Sequence, residues 1–365
     1  MKTTLLSALI ATLISSFAFK PVMAVPKTNP DISVNVLLLG KKSFGNKEHE
    51  ENHQEAHKEE HGEENHEENG EHEEPEGEHS HGLNDGFSIQ EVEIYFKSNI
   101  DPYWTGNVSL GISQHGGEFD LDLEEAFVES LFIPELTVRL GKFYAFLGRH
   151  NNLHTHYYPF IDPPLINQTL FGFHGWNGSG ASLAYLSPLP WYSELIVQGF
   201  YSHSTEENFS GVLFFKNLWD LSDQSTLELD LSYGTGIKKY KHLYNAALVW
   251  KWNASENAKT QSVAWTTELT QAFEDSSSKG VGGISSYIQW QALKNWWLEG
   301  RAEYIGPKFN SIDIQKYSLL VAFAATEYSA IRLQYSASLE KEGHWSHSVF
   351  LQSNMSLGTH PAHLY

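Results

Sequence analysis

From residue 31 onward the chain repeats one pattern, in which apolar and polar residues alternate with a period of two. In Trp104-Thr-Gly-Asn-Val-Ser-Leu-Gly-Ile-Ser113, Trp104, Val108, Leu110 and Ile112 share one face, and Thr105, Asn107, Ser109 and Ser113 the other. Leu227, Leu229, Leu231 and Tyr233 oppose Glu228, Asp230 and Ser232 in the same way, and Ile331, Leu333 and Tyr335 oppose Arg332, Gln334 and Ser336. A period of two marks a β-strand with two unlike faces and is incompatible with an amphipathic helix. Sixteen stretches from 31–41 to 346–357 show it, including 119–132, 136–147, 226–235, 296–305 and 329–339. In 119–132 the apolar face changes sides near Glu124-Glu125, which predicts a β-bulge there.

Alternation alone fits either a soluble β-sandwich or a transmembrane barrel, and the connections separate them. Every second link is short, such as Ile100-Asp-Pro102, Ile133-Pro-Glu135, Ser187 to Pro190, Trp219 to Gln224 and Leu293-Lys-Asn295. The alternate links are mostly longer and more polar, among them 148–177 and the segment before Phe87. His115 to Glu118 and Asn253 to Gln261 break this rule. Short turns at one end and long loops at the other are the organisation of an outer-membrane barrel. Tryptophans 104, 191, 219, 250, 252, 290, 296 and 297, eight of the eleven present, flank the short turns. An amphipathic ring favours the membrane interface, so these rings predict an aromatic girdle. The fold expected is all-β: a transmembrane antiparallel barrel of about sixteen strands, wide enough to enclose an aqueous channel.

Lys2, the apolar run Leu5 to Phe19 and Val22-Met23-Ala24 read as a secretory signal peptide over 1–24, leaving 25–365 as one barrel domain. The absence of cysteine rules out disulfides and thiolate chemistry. The formal charge is −21, and residues 48–81 hold fifteen Glu against Lys58, so most of the acidity sits in one segment. No basic surface for nucleic acid is present in such a balance.

Three runs, HSHGLNDGFSIQEVEIYFKSNIDPYW (79–104), LGKFYAFLGRHNNLHTHYYPFIDPPLI (140–166) and LGTHPAHLY (357–365), resemble a family of Gram-negative outer-membrane proteins. In that family a His-rich segment precedes a porin-like barrel, and members carry the label of zinc-regulated outer-membrane receptors. The resemblance extends over the whole mature chain. It implies a location in the outer membrane, contact with its lipid, and a link to zinc. It also implies an energy-coupling partner, but a barrel of sixteen strands uses up the chain and leaves no plug domain, so passive diffusion is the simpler mechanism.

Two histidine groups could hold a metal. His49, His53, His57 and His61 recur every fourth residue, followed by His66, His72, His79 and His81, all within the Glu-rich segment 47–83. Imidazole with carboxylate suits Zn²⁺ and other first-row divalent ions without strong preference, and occupancy falls as the imidazoles protonate. The segment's low hydrophobicity also predicts a disordered external loop with no further role. His150, His154 and His156 lie in the long connection 148–177, the third external loop, which in general porins folds into the lumen. Arg149 and Asp162 accompany them there. Predicted lumenal charges include Arg139, Glu268, Glu299, Arg301, Glu303 and Arg332, of mixed sign and without the basic ladder of a phosphate channel.

No GxSxG, P-loop or dinucleotide motif occurs. HEENH (49–53) and HKEEH (57–61) spell metalloprotease motifs, but a tract made of His and Glu produces them by chance. The expectation is thus a non-enzymatic channel for small solutes, without a required cofactor, whose loop gathers divalent metal ions. A general porin without a metal role and a barrel hydrolase are the alternatives. Sixteen strands are compatible with a homotrimer and do not fix one.

Overall fold

The computed structural model describes residues 30–45, 83–115, 117–202, 209–237, 240–254, 261–274, 280–306, 313–340 and 343–358. The signal segment and the His/Glu-rich stretch, with His49, His53, His57, His61, His66, His72, His79 and His81, lie outside them. Among the described residues there are sixteen strands: β1 Asp31–Gly45, β2 Gly86–Asn99, β3 Trp104–His115, β4 Glu118–Ser130, β5 Leu136–Tyr144, β6 Asn177–Leu186, β7 Tyr192–Tyr201 and β8 Phe209–Ser222 form the first half. β9 Ser225–Thr235, β10 His242–Asn253, β11 Ser262–Phe273, β12 Gly280–Leu293, β13 Trp296–Gly306, β14 Ile314–Thr326, β15 Ser329–Glu340 and β16 Trp345–Gly358 form the second. Each strand pairs antiparallel with its neighbours in sequence, and β1 closes the barrel against β16, with Ser33 opposite Gly358 and Gly45 opposite Ser346. Among the described residues no helix is long and apolar enough to cross a membrane.

The period-two pattern sets which face each residue takes. Leu231 and Leu333 point outward and are 44% and 50% exposed, whereas Asp230 and Gln334 point inward and are 1% and 0% exposed. An apolar row bathed in hydrocarbon and a closed ring with no free edge are what a lipid environment requires of a sheet. Around the short-turn end Trp191, Trp290, Trp296 and Tyr328 present exposed rings. Trp297 departs from the predicted girdle: it is 7% exposed and packs inside with Phe160, Leu320 and Ala322. Trp296 and Trp297 are consecutive, so period two sends only one of them outward.

The register slips between Ser109 and Leu110, which face Glu125 and Leu123, so Glu124 is the extra residue of a bulge at the place where the face change predicts one. β5 is shorter than the 136–147 expected, because Ala145 turns inward and its N–H donates to the Trp176 carbonyl at 2.9 Å, closing the base of a lumenal loop. β4 consequently pairs with β5 only through Ala126–Glu129. The turn after β8 is also tighter than 219–224, since Ser222 still pairs with Ser225.

Candidate functional site

Residues 145–176 leave the wall between β5 and β6 and run through the barrel interior. Their apolar side chains join a core that the alternation does not reveal: Leu147, Ile166, Leu170 and Trp176 pack with the inward Phe143, Phe200, Leu243 and Ile305. Within the loop Thr155–Tyr157 form a single 3-10 turn and Leu165–Phe171 a short helix, α1. Asn151 ties the two limbs together: its Nδ2 donates to the carbonyls of Ala145 and Trp176, and its Oδ1 accepts from the Trp176 N–H.

Polar anchors fix the loop to three parts of the wall. Near its start, Arg149 forms ion pairs with Glu228 and Asp230 of β9, and its N–H donates to Glu268 of β11. Gly148 (φ +69°) makes this bend, and a Cβ there would collide with Glu268 and Asn245. At the far wall Asp162 meets Arg301 at 2.8 Å, Lys316 and Gln334, from β13, β14 and β15. Burial opposes ionisation of Asp162, but Lys316 and Arg301 hold its carboxyl below the usual carboxylate range. Arg332 donates to the carbonyls of Tyr158 and Pro159, and Glu303 accepts from the Leu165 N–H.

The third anchor is the one with metal-binding chemistry. His154 places Nδ1 3.2 Å from Glu124 Oε2 and 3.4 Å from Glu93 Oε1, and Nε2 3.1 Å from Glu125 Oε2. Two residues on, His156 Nδ1 lies 2.5 Å from Glu93 Oε2, while Thr155 donates to Glu91 at 2.7 Å. Ser109 Oγ stands between the walls, 3.1 Å from Glu93 Oε1 and 2.8 Å from Glu124 Oε2. Glu93, Glu124 and His154 offer three ligand atoms within 4.8 Å of one another. Burial disfavours the His154 imidazolium, yet Glu93 and the hydrogen-bonded Glu124 and Glu125 raise its pKa well above the ordinary value.

The predicted ligands are therefore divided. His154 and His156 come together, while His150 stands apart from the carboxylates, its ring 4.1 Å from that of Tyr158. Burial and the nearby Arg301 push the His150 pKa down to about 3, so this imidazole is neutral. Glu124 and Glu125 were legible as a bulge, but nothing in the sequence joined them, or Glu91 and Glu93, to His154. The bulge supplies that link by turning two consecutive carboxylates toward one imidazole.

Arg139, Glu268, Glu299, Arg301, Glu303 and Arg332 are on the inner face of the wall, and Arg149 is on the lumenal loop. A cavity of about 490 Å³ remains beside the loop, bordered by Arg139, Arg149, Lys251, Glu268, Arg301 and Glu125 among others. Arg139 pairs with Glu129 at 2.9 Å and lies over the Phe127 ring. Glu299, Glu303 and Arg332 are buried at 5%, 5% and 3% and do not border this cavity; the latter two hold the loop.

No family model matches the chain. A protein of Aquifex aeolicus described as uncharacterized is 25% identical over 349 residues, covering 79% of this chain and 72% of its own length. Among solved structures, a loop-L8 deletion mutant of OmpT, an outer-membrane protein of Vibrio cholerae, superposes with a TM-score of 0.56 at 8% identity over 90% of this chain and 99% of its own. The outer-membrane channel DcaP of Acinetobacter baumannii gives 0.54 at 10% identity over 91% and 98%. With the closed sixteen-stranded ring, these likenesses show that the chain has the fold of an outer-membrane β-barrel.

Proposed function

We propose that this barrel is a porin-like channel for passive diffusion of small solutes, and that it assists uptake of divalent metal ions, zinc first. The observation that carries this reading is the loop 145–176, bound across the interior while leaving a charged cavity of about 490 Å³ beside it. A loop that narrows a barrel without filling it produces a constriction whose lining sets selectivity. The channel DcaP, whose fold is similar, supports the first part. OmpT of Vibrio cholerae, solved in a trimer form with a TM-score of 0.53, supports a homotrimer. The metal part rests on the His/Glu-rich segment 47–83, whose eight histidines would raise the local concentration of zinc at the channel mouth. A zinc-responsive dye sealed in proteoliposomes tests both parts. The full chain should admit zinc, and a full-length variant with the eight histidines replaced by Asn should admit it more slowly at micromolar zinc. Equal rates would remove the role of the segment, leaving a general porin. Turnover of an ester or peptide by the barrel would instead favour a hydrolase.

A further inference from the structure

The cluster around His154 holds more negative charge than its own groups can balance. Four carboxylates, Glu91, Glu93, Glu124 and Glu125, converge on two imidazoles, and the nearby basic residues are engaged elsewhere: Arg139 with Glu129, and Lys142 with Asp122. Even with both imidazoles protonated and Glu91 neutral, one negative charge is left in a site where Glu93 and Glu124 are 4% and 6% exposed. Buried charge at this density is stable when it is paired or when it coordinates a metal. Ser109 adds to the imbalance. Its hydroxyl has one proton, yet it stands within hydrogen-bond distance of two carboxylate oxygens, Glu93 Oε1 and Glu124 Oε2. Those two atoms are the same ones that His154 Nδ1 approaches.

Two of the three ligand–ligand spacings match those of a coordination polyhedron. Two ligand atoms each about 2.1 Å from a tetrahedral ion are separated by about 3.4 Å. His154 Nδ1 lies 3.2 Å from Glu124 Oε2 and 3.4 Å from Glu93 Oε1. On its other side, Nε2 faces Glu125 Oε2 at 3.1 Å. A metal-ligating imidazole commonly donates its second N–H to a carboxylate, which fixes the tautomer and turns the lone pair of the first nitrogen toward the ion. Glu125 is in place to do this because the bulge at Glu124 turns both residues inward.

We infer that Glu93, Glu124 and His154 form a binding site for one divalent first-row cation at the constriction, with Glu125 as the positioning residue for the imidazole. The site rests on the channel reading for its role and is distinct from the external segment. Two ligands come from the wall, on β2 and β4, and the third from the lumenal loop, so a bound ion would cross-link the loop to the barrel. A permeating metal ion would pause here. His156, 2.5 Å from the second oxygen of Glu93, stands next along the loop.

Co²⁺ is the probe, since imidazole coordination gives it visible d–d bands. The protein is the full-length chain with the eight histidines between 49 and 81 changed to Asn, refolded in detergent and shown to be folded by its β circular dichroism. One Co²⁺ per chain should bind, with bands that Zn²⁺ displaces. Glu93→Gln, Glu124→Gln and His154→Gln should each weaken binding at least tenfold. Glu125→Gln should weaken it by roughly tenfold to a hundredfold, as for other residues that orient a metal-bound histidine. His150→Gln should leave it unchanged. Folded protein that takes up no stoichiometric Co²⁺, or that binds it equally in the Glu93 and His154 variants, would overturn the site. Ion conductance by the same preparation reports on the channel separately, so the site can fail while the channel reading stands, and the reverse.

Discussion

Asp162 receives Arg301, Lys316 and Gln334 at once and is 4% exposed. Replacing it with Asn leaves Lys316 buried without its counter-charge, while Arg301 keeps Glu303 at 2.9 Å. Breaking a buried pair from one side costs roughly 3–5 kcal/mol, and thermal unfolding of Asp162→Asn should register a loss of that order. The pH dependence follows from the sign of the shift. The folded pKa of Asp162 is lowered, so its contribution is complete above the unfolded value near 3.9 and disappears as pH falls through the lower folded value. The difference between wild type and Asp162→Asn should be constant from pH 5 to 8 and shrink only below about pH 4. A difference that already falls between pH 7 and 5 would show that another group controls it. His150 acts separately: neutral in the fold down to about pH 3 but protonated below about 6.5 when unfolded, it lowers the stability of both proteins as pH falls below about 6.5.

Among the elements, the strands and the long third loop were legible but the loop's path and contacts were not, for a physical reason. A strand between lipid and lumen must alternate, and the alternation is local, so Leu227 to Tyr233 or Ile331 to Ser336 declare their faces within seven residues. Even the bulge showed itself as a change of face at Glu124-Glu125. The path of the loop depends on partners far off in sequence: Arg149 reaches Glu228, Asp162 reaches Arg301 and Arg332 reaches Pro159. Local periodicity cannot encode such pairs, and Leu147, Ile166 and Trp176 gave no sign that they build a core inside the barrel. Trp297 misled for the complementary reason, since proximity to a turn does not decide which face a ring takes. At the neck of the loop, Gly148→Ala must displace Glu268 or the bend itself, because φ is +69° and a Cβ has no room. Single-channel conductance of that variant should differ from wild type, with the barrel still formed; unchanged conductance would show that the neck does not set the aperture.

For the molecule as a whole, the distribution of charge matters more than the total of −21. Fifteen of the glutamates lie in one stretch of sequence between β1 and β2, and the inner wall carries its own acidic group on β2 and β4, with Arg139, Arg149 and Lys251 elsewhere on the cavity. On the proposed function, a divalent cation gathered by that segment would meet carboxylates again on the inner wall. That route exists only if the cavity beside the loop is continuous with solvent on both sides. Single-channel recording of the full-length protein in planar bilayers, in metal-free buffer, tests this most directly. Discrete, ohmic conductance steps with a modest preference for K⁺ over Cl⁻ are predicted. Folded protein that inserts and adds no conductance would contradict the account.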